Sequence, residues 1–184
     1  MLDPLQLSSS FQPYLMSGER IEWSGRPKQG LALSGKDVFL IPFSLLWGGF
    51  TIFWNAEVWS TEAPLDFKLF GLPFLAVGLY ITIGRFLHDA WLRGRMVYAV
   101  SDRRVMMLRG RNFSSLDIKS LPRLDLAERG DGSGTLTFEG TGSLFFGRMQ
   151  GFDWWVPALD STARFFRIDQ PRIVYDLITR KASA

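Results

Sequence analysis

Two stretches decide the fold: Val38–Ala56, VFLIPFSLLWGGFTIFWNA, and Leu69–Gly84, LFGLPFLAVGLYITIG. The first holds 19 residues and no charge. As a helix it is about 28 Å long at roughly 1.5 Å per residue, and a bilayer's hydrocarbon core is about 30 Å thick. Leu, Ile, Phe and Val each favour insertion, and no ionised side chain opposes them. Pro42 falls near the start, where a missing N–H costs least. The second run is shorter between its bounding charges, Lys68 and Arg85. Phe67, Phe86 and Leu87 lengthen it to about 20 residues when both basic side chains reach back to the headgroups. The competing reading is a buried helix pair of a soluble domain. Two such runs in succession, with Trp47, Trp54, Trp59, Tyr80 and Trp91 mostly near their ends, point to the bilayer. The expected spans are residues 38–56 and 67–87, the second continuing into the cytoplasm as far as residue 94.

Only Glu57–Lys68 joins the runs, so the helices are antiparallel neighbours. Ser44 and Gly48 on the first, and Gly78 and Thr82 on the second, each set two small residues four apart. Small residues let backbones approach closely in lipid. They either pack the hairpin on itself or receive a partner's helix. Basic residues set the orientation. Arg20, Arg26, Lys28 and Lys36 precede the first run, and Arg85, Arg93, Arg95, Arg103 and Arg104 follow the second. The loop offers Lys68 beside Glu57, Glu62 and Asp66. The positive-inside rule then puts both termini in the cytoplasm and the loop outside.

The net charge is +3 and the pI about 9.4. In a soluble protein this balance would raise the question of nucleic acid. Here the basic excess flanks the membrane runs, where anionic lipid and topology account for it, and no nucleic-acid partner is expected. The chain has no cysteine, which excludes disulfides, thiolate catalysis and cysteine-ligated metals. Met1–Gln12 is too polar for the core of a cleavable signal, so the first span is the expected targeting signal.

The flanks divide into an arm, residues 1–37, and a domain, residues 95–184. In the arm, Met1–Gly18 reads as polar and irregular. Ile21 and Trp23 alternate with polar neighbours ahead of a Gly/Pro turn, which fits a short strand. Ser34 is the expected cap of the first span. Arg85, Asp89 and Arg93 are four apart, placing each carboxylate–guanidinium pair on one helical face. His88, the one histidine, has no clustered acid or cysteine and reads as an interfacial structural residue. Beyond Gly94 the apolar period shortens to two, and strands are expected at about 95–100, 103–109, 112–118, 121–127 and 134–140. Gly130–Gly134 (GDGSG) lacks the Lys and the helix of a phosphate loop and reads as a hairpin turn. Leu144–Leu159 crowds Phe145, Phe146, Phe152, Trp154 and Trp155 together: a loop covering the sheet, or an aromatic patch facing the membrane interface or a partner. At the end, Asp169 is the expected cap of a helix with an apolar stripe of Ile173, Val174, Leu177 and Ile178.

Successive antiparallel strands closed by one C-terminal helix suit a pleckstrin-homology-like (PH-like) barrel. Tyr98-Ala99-Val100-Ser101-Asp102-Arg103-Arg104-Val105 resembles the Tyr-x-Val-Thr-(Asp/Asn)-Arg-Arg-(Val/Leu/Ile) signature of bacterial PH-like, membrane-anchored proteins. The order is similar too. A lead of Leu15 and Gly18–Pro27 precedes two membrane helices and the signature, and Phe165–Asp169 with Val174–Ile178 resembles the family's closing helix. Ser101 stands where the family has threonine, and either hydroxyl caps a turn.

The resemblance implies a membrane hairpin with a cytoplasmic PH-like antiparallel barrel, lodged as a multi-pass protein in a bacterial inner membrane. It implies no catalytic site and no cofactor or metal, and no small-molecule substrate is evident. The expected function is non-enzymatic: an accessory or assembly subunit whose PH-like domain contacts other integral membrane proteins, with membrane lipids around it. The alternative is an anionic-lipid sensor. Its headgroup cluster would be Arg103, Arg104, Arg109 and Arg111, unless these arginines pair locally at a turn. Phe145, Phe146, Trp154 and Trp155 are the further candidate contacts.

Overall fold

The protein is described from a computed structural model, which places residues 4–121, 123–139, 155–159 and 162–183. The chain forms two units. One comprises residues 31–90 and 149–160; the other comprises residues 1–30, 91–148 and 161–184.

The first unit is the helix hairpin. α2 runs Asp37–Ser60, α3 runs Leu65–Leu79, and a π-helical turn, Tyr80–Gly84, leads without a break into α4, Arg85–Gly94. Asp37–Ser60, at 24 residues, and Leu65–Gly94, at 30, are long and apolar enough to cross a membrane. Both helices outrun their apolar cores, so the expected loop at 57–68 shrinks to residues 61–64. Pro42 and Pro73 lie inside α2 and α3. Ser34 is not the cap of α2. The cap position is Lys36, whose side chain makes no capping hydrogen bond, and Ser34 instead donates its backbone N–H and its Oγ to Asp37 Oδ2 at 2.6 and 2.9 Å.

The burial pattern of α2 inverts that of a water-soluble helix. Its buried face is Asp37, Leu40, Ser44, Gly48, Thr51, Asn55 and Val58. Phe39, Leu46 and Phe53 are 79%, 76% and 65% exposed. Small and polar groups face inward while large apolar ones face out, which suits a helix whose solvent is hydrocarbon.

The second unit holds two antiparallel sheets. β1 (Ile21–Gly25), β2 (Met96–Ser101), β3 (Arg104–Arg109) and β4 (Asn112–Asp117) form one sheet in that order. β5 (Arg123–Glu128), β6 (Ser133–Glu139) and β7 (Arg164–Asp169) form the other. β2 to β6 fall within two residues of the expected strands. β1, from before the hairpin, pairs with β2 through Trp23↔Val100 and Gly25↔Tyr98. Tyr98 stacks on Phe165 at 4.7 Å, and Phe138 meets Phe165 edge-on at 5.1 Å, so β2, β6 and β7 share one core.

Three expectations change here. The stretch before Gly18 is not irregular: α1 (Pro4–Ser9) and a 3-10 turn at Gln12–Tyr14 bring Leu7 and Phe11 into a core with Val97, Ala99 and Met106. Phe165–Ile168 lies in strand β7, and the closing helix α5 is Pro171–Ala182. Asp169 does not cap that helix. Gln170 stands at the cap with φ 49°, and Pro171 opens the first turn. The buried stripe is Pro171, Val174 and Ile178, while Ile173 is 57% exposed. A Cβ on Gly134 would lie 2.6 Å from Pro171 Cγ and 2.9 Å from the Ala127 carbonyl oxygen, so the β6 start admits this helix only as glycine.

Candidate functional site

The hairpin interface is built from residues that leave room. A Cβ on Gly48 would stand 2.8 Å from Thr82 Oγ1. One on Gly78 would stand 2.6 Å from Thr51 Oγ1 and 3.3 Å from the Cα of Gly48. Thr82 Oγ1 donates across the interface to the Ser44 carbonyl at 2.9 Å. Ser44, Gly48, Gly78 and Thr82 thus all face the paired helix. Asn55, nearer the loop, donates Nδ2 to the Thr51 carbonyl at 2.8 Å and to the Gly71 carbonyl of α3 at 3.2 Å. In hydrocarbon such hydrogen bonds hold helices together at modest strength, about 0.6 kcal/mol each on average. Thr51 and Asn55 continue the spacing of Ser44 and Gly48, a signal present in the sequence but obscured by Trp and Phe around it.

The opposite end of the hairpin is polar and buried. Arg85 Nη1 meets Asp37 Oδ1 at 2.6 Å, with the two side chains 2% and 5% exposed. One turn on, Asp89 Oδ1 accepts the backbone N–H of Ala158 at 2.8 Å. One turn further, Arg93 donates to the carbonyls of Lys28 and Gly30. The spacing of four puts the three side chains on one face of α4, as expected, and that face is buried, which the spacing did not indicate. Its partners, however, include Asp37 and three backbone groups that are distant in sequence. His88 Nδ1 lies 2.9 Å from the Tyr80 hydroxyl, bridging the π turn.

In the sheet unit, the Ser101–Arg104 turn is knotted to Glu19. Ser101 Oγ accepts the N–H of Arg103 and Arg104 at 3.1 and 2.8 Å and donates to Glu19 Oε1 at 2.6 Å. Arg104 holds the same carboxylate with two prongs, Nε to Oε1 at 3.1 Å and Nη2 to Oε2 at 2.6 Å, the stronger geometry for such a pair. It also donates to the Tyr14 carbonyl. The Arg104 hydrogen bond is the chief cause that holds the Glu19 carboxyl down to about 2, with Ser101 and the Met16 N–H adding to it against the cost of burial. The same pair raises Arg104. Burial pushes the Tyr98 hydroxyl up to about 12.

The four candidate headgroup arginines do not converge. Arg103 and Arg104 sit at one end of β3, Arg109 at the other end and Arg111 in the turn beyond it; the two ends are about 17 Å apart at roughly 3.3 Å per residue. Arg103 is exposed beside Asp102, 3.9 Å away. Arg109 is half-buried, and burial lowers its pKa, while Arg111 is exposed. The β3–β4 end also carries Arg95, whose carbonyl accepts from Gly110 N–H and whose guanidinium lies 3.7 Å from the Trp91 ring. Trp155 is half-buried, with its ring 6.2 Å from Phe43. Phe145, Phe146 and Trp154 lie outside the described residues.

No protein-family model, curated protein or solved structure matches the chain.

Proposed function

We propose that this chain is a non-enzymatic, multi-pass protein of a bacterial inner membrane, in which a PH-like cytoplasmic domain and the helix hairpin serve as an accessory or assembly subunit of a larger membrane complex. The inside-out packing of α2 carries the membrane part of this reading. The hairpin interface is closed by Gly48, Gly78, Thr51 and Thr82, which leaves the exposed Phe and Leu side chains to lipid and to partner helices. A four-strand sheet followed by a three-strand sheet and one C-terminal helix supports the PH-like assignment.

The engagement of Arg104 by Glu19 favours protein contact over headgroup reading at the Ser101–Arg104 turn. A lipid-reading alternative keeps one supporting observation, the gathering of Arg95, Arg109 and Arg111 at the other end of the sheet. Its test requires the full chain, because β1 and the Phe11 core precede the hairpin.

Two measurements test the main reading. Alkaline carbonate should leave the protein in the membrane pellet; release into the supernatant would end the integral-membrane assignment. Purification of tagged full-length protein from native membranes in mild detergent should bring down other membrane proteins in fixed ratio. Recovery of the chain alone would sink the subunit assignment and turn attention to the Arg95 end.

A further inference from the structure

Asp37 and Arg85 mark the same end of both apolar runs. Asp37 immediately precedes Val38, and Arg85 immediately follows Gly84. The carboxylate of Asp37 is fully engaged: Oδ1 takes Arg85 Nη1, and Oδ2 takes both Ser34 donors. The guanidinium is not. Among the described residues, Arg85 Nε and Nη2 are buried and have no hydrogen-bond partner. Buried donors without acceptors are rare in folded proteins, and each asks for a water, an ion or a ligand.

The two unmatched atoms are not an arbitrary pair. Nε–H and Nη2–H lie along one edge of the guanidinium and form the fork that takes two oxygens of one oxyanion. Asp37 is held by the single prong of Nη1, which leaves that fork whole. The Phe86 ring, 4.2 Å from Cζ, packs against the guanidinium. Lys36 adjoins Asp37 and adds positive charge at this level of the chain.

We infer that the Nε/Nη2 edge of Arg85 binds a phosphate oxyanion at the end of the hairpin. The inference rests on the membrane reading above, which sets this end at the depth of the phospholipid headgroups. A headgroup phosphate and free inorganic phosphate share the chemistry. Each of the two donor atoms has less than 1 Å² of accessible surface, so the phosphate enters as neighbouring side chains move aside.

The test uses delipidated full-length protein in mild detergent and native mass spectrometry. Dioleoylphosphatidylglycerol is titrated against dioleoylglycerol, which has the same tails without the phosphate. The wild type should hold one phosphatidylglycerol about tenfold or more tighter than the diacylglycerol. Arg85→Lys keeps the charge and the Asp37 pair but has no fork, and should lose that preference. Arg85→Gln with Asp37→Asn removes both charges together, avoids a stranded carboxylate, and should lose it as well. Asp37→Asn alone keeps the fork and should retain it. Displacement of the lipid by millimolar inorganic phosphate would assign the site to the free anion; resistance to displacement would assign it to the headgroup. A preference that survives both Arg85 substitutions overturns the inference, as does a wild type that shows no preference and binds no inorganic phosphate. Release of the protein by alkaline carbonate would fail the membrane reading separately, with the inorganic-phosphate arm still reading the fork.

Discussion

Glu19 is the residue on which the sheet unit turns. It joins the Gly18 corner to the β2–β3 turn through Arg104 and Ser101, with both carboxylate oxygens engaged and its side chain fully buried. Glu19→Gln leaves Arg104 buried and short of a counter-charge. The expected loss is about 2 kcal/mol at neutral pH, set below the usual value for breaking a buried pair because Arg104 retains some solvent. The carboxyl titrates near 4.5 when unfolded and near 2 when folded. A lowered folded pKa stabilises above the unfolded value, and that stability is lost as pH falls from about 4.5 toward 2. Thermal midpoints of wild type and E19Q should therefore differ at pH 7, draw together as pH falls below about 4.5, and converge near pH 2. A gap unchanged between those pH values would refute the assignment. Tyr98 gives an alkaline counterpart. Its pKa of about 12 means that the neutral phenol is the form the core accepts, so stability declines above about pH 10. Absorbance near 295 nm should show a late tyrosine ionisation that is lost in Tyr98→Phe; a late phase unchanged by that substitution would contradict the buried stack. The turn itself was legible as Ser-Asp-Arg-Arg. Its partner lies 85 residues upstream across both apolar runs, a pairing no local pattern reveals.

At the scale of elements, the hairpin depends on two glycines meeting. The Thr51 side chain facing Gly78 can rotate, but the Gly48 backbone behind it cannot. Gly78→Leu should therefore part the helices rather than be absorbed, at a cost of about 1–3 kcal/mol for an overfilled interface. The chain has no cysteine, so cysteines at Leu45 and Ile83, which line one groove of the hairpin, carry spin labels without background. Their distance distribution should be narrow in the wild-type background and longer or broader with Gly78→Leu. An unchanged distribution would mean that the glycine contact is dispensable. The two long apolar helices were readable because a run of uncharged residues is a signal carried by composition alone. β2 to β6 were readable from alternation. β7 was not: Phe165 and Phe166 are adjacent, and Arg164 and Arg167 flank them, which breaks the period of two. The order of α1 was hidden for another reason. A helix of 6 residues has too few turns to show a stripe, and Phe11 is held by tertiary contact rather than by local preference.

For the whole molecule, charge decides which way the proposed hairpin threads. Residues 61–64 between α2 and α3 contain Glu62 and no basic residue. Lys68, the nearest basic group, lies 5.7 Å from the Trp59 ring. The other end collects Lys36, Arg85, Arg93 and Arg95 within a few residues of the apolar runs. Moving that cluster across a membrane against the inside-negative potential is costly, roughly 2.3 kcal/mol per charge per 100 mV. The loop, with its single nearby Lys and its acidic neighbours, crosses at far lower cost. A cysteine at Glu62 should therefore react with a membrane-impermeant maleimide in intact spheroplasts, and one at Ser183 only after permeabilisation. The reverse pattern would invert the topology. Complete labelling of both in intact cells would mean that the two apolar helices do not form a hairpin through the bilayer, whereas partial labelling of each marks a mixture of orientations. Replacing Arg93 and Arg95 with Gln while adding two Lys beside Glu62 should produce a mixed population, because the cue then no longer favours one end. Arg93 also holds the carbonyls of Lys28 and Gly30, so Arg95→Gln alone with the added lysines separates the effect of charge from the effect of a lost anchor. A shift toward dual labelling in that milder variant is the outcome that ties orientation to charge.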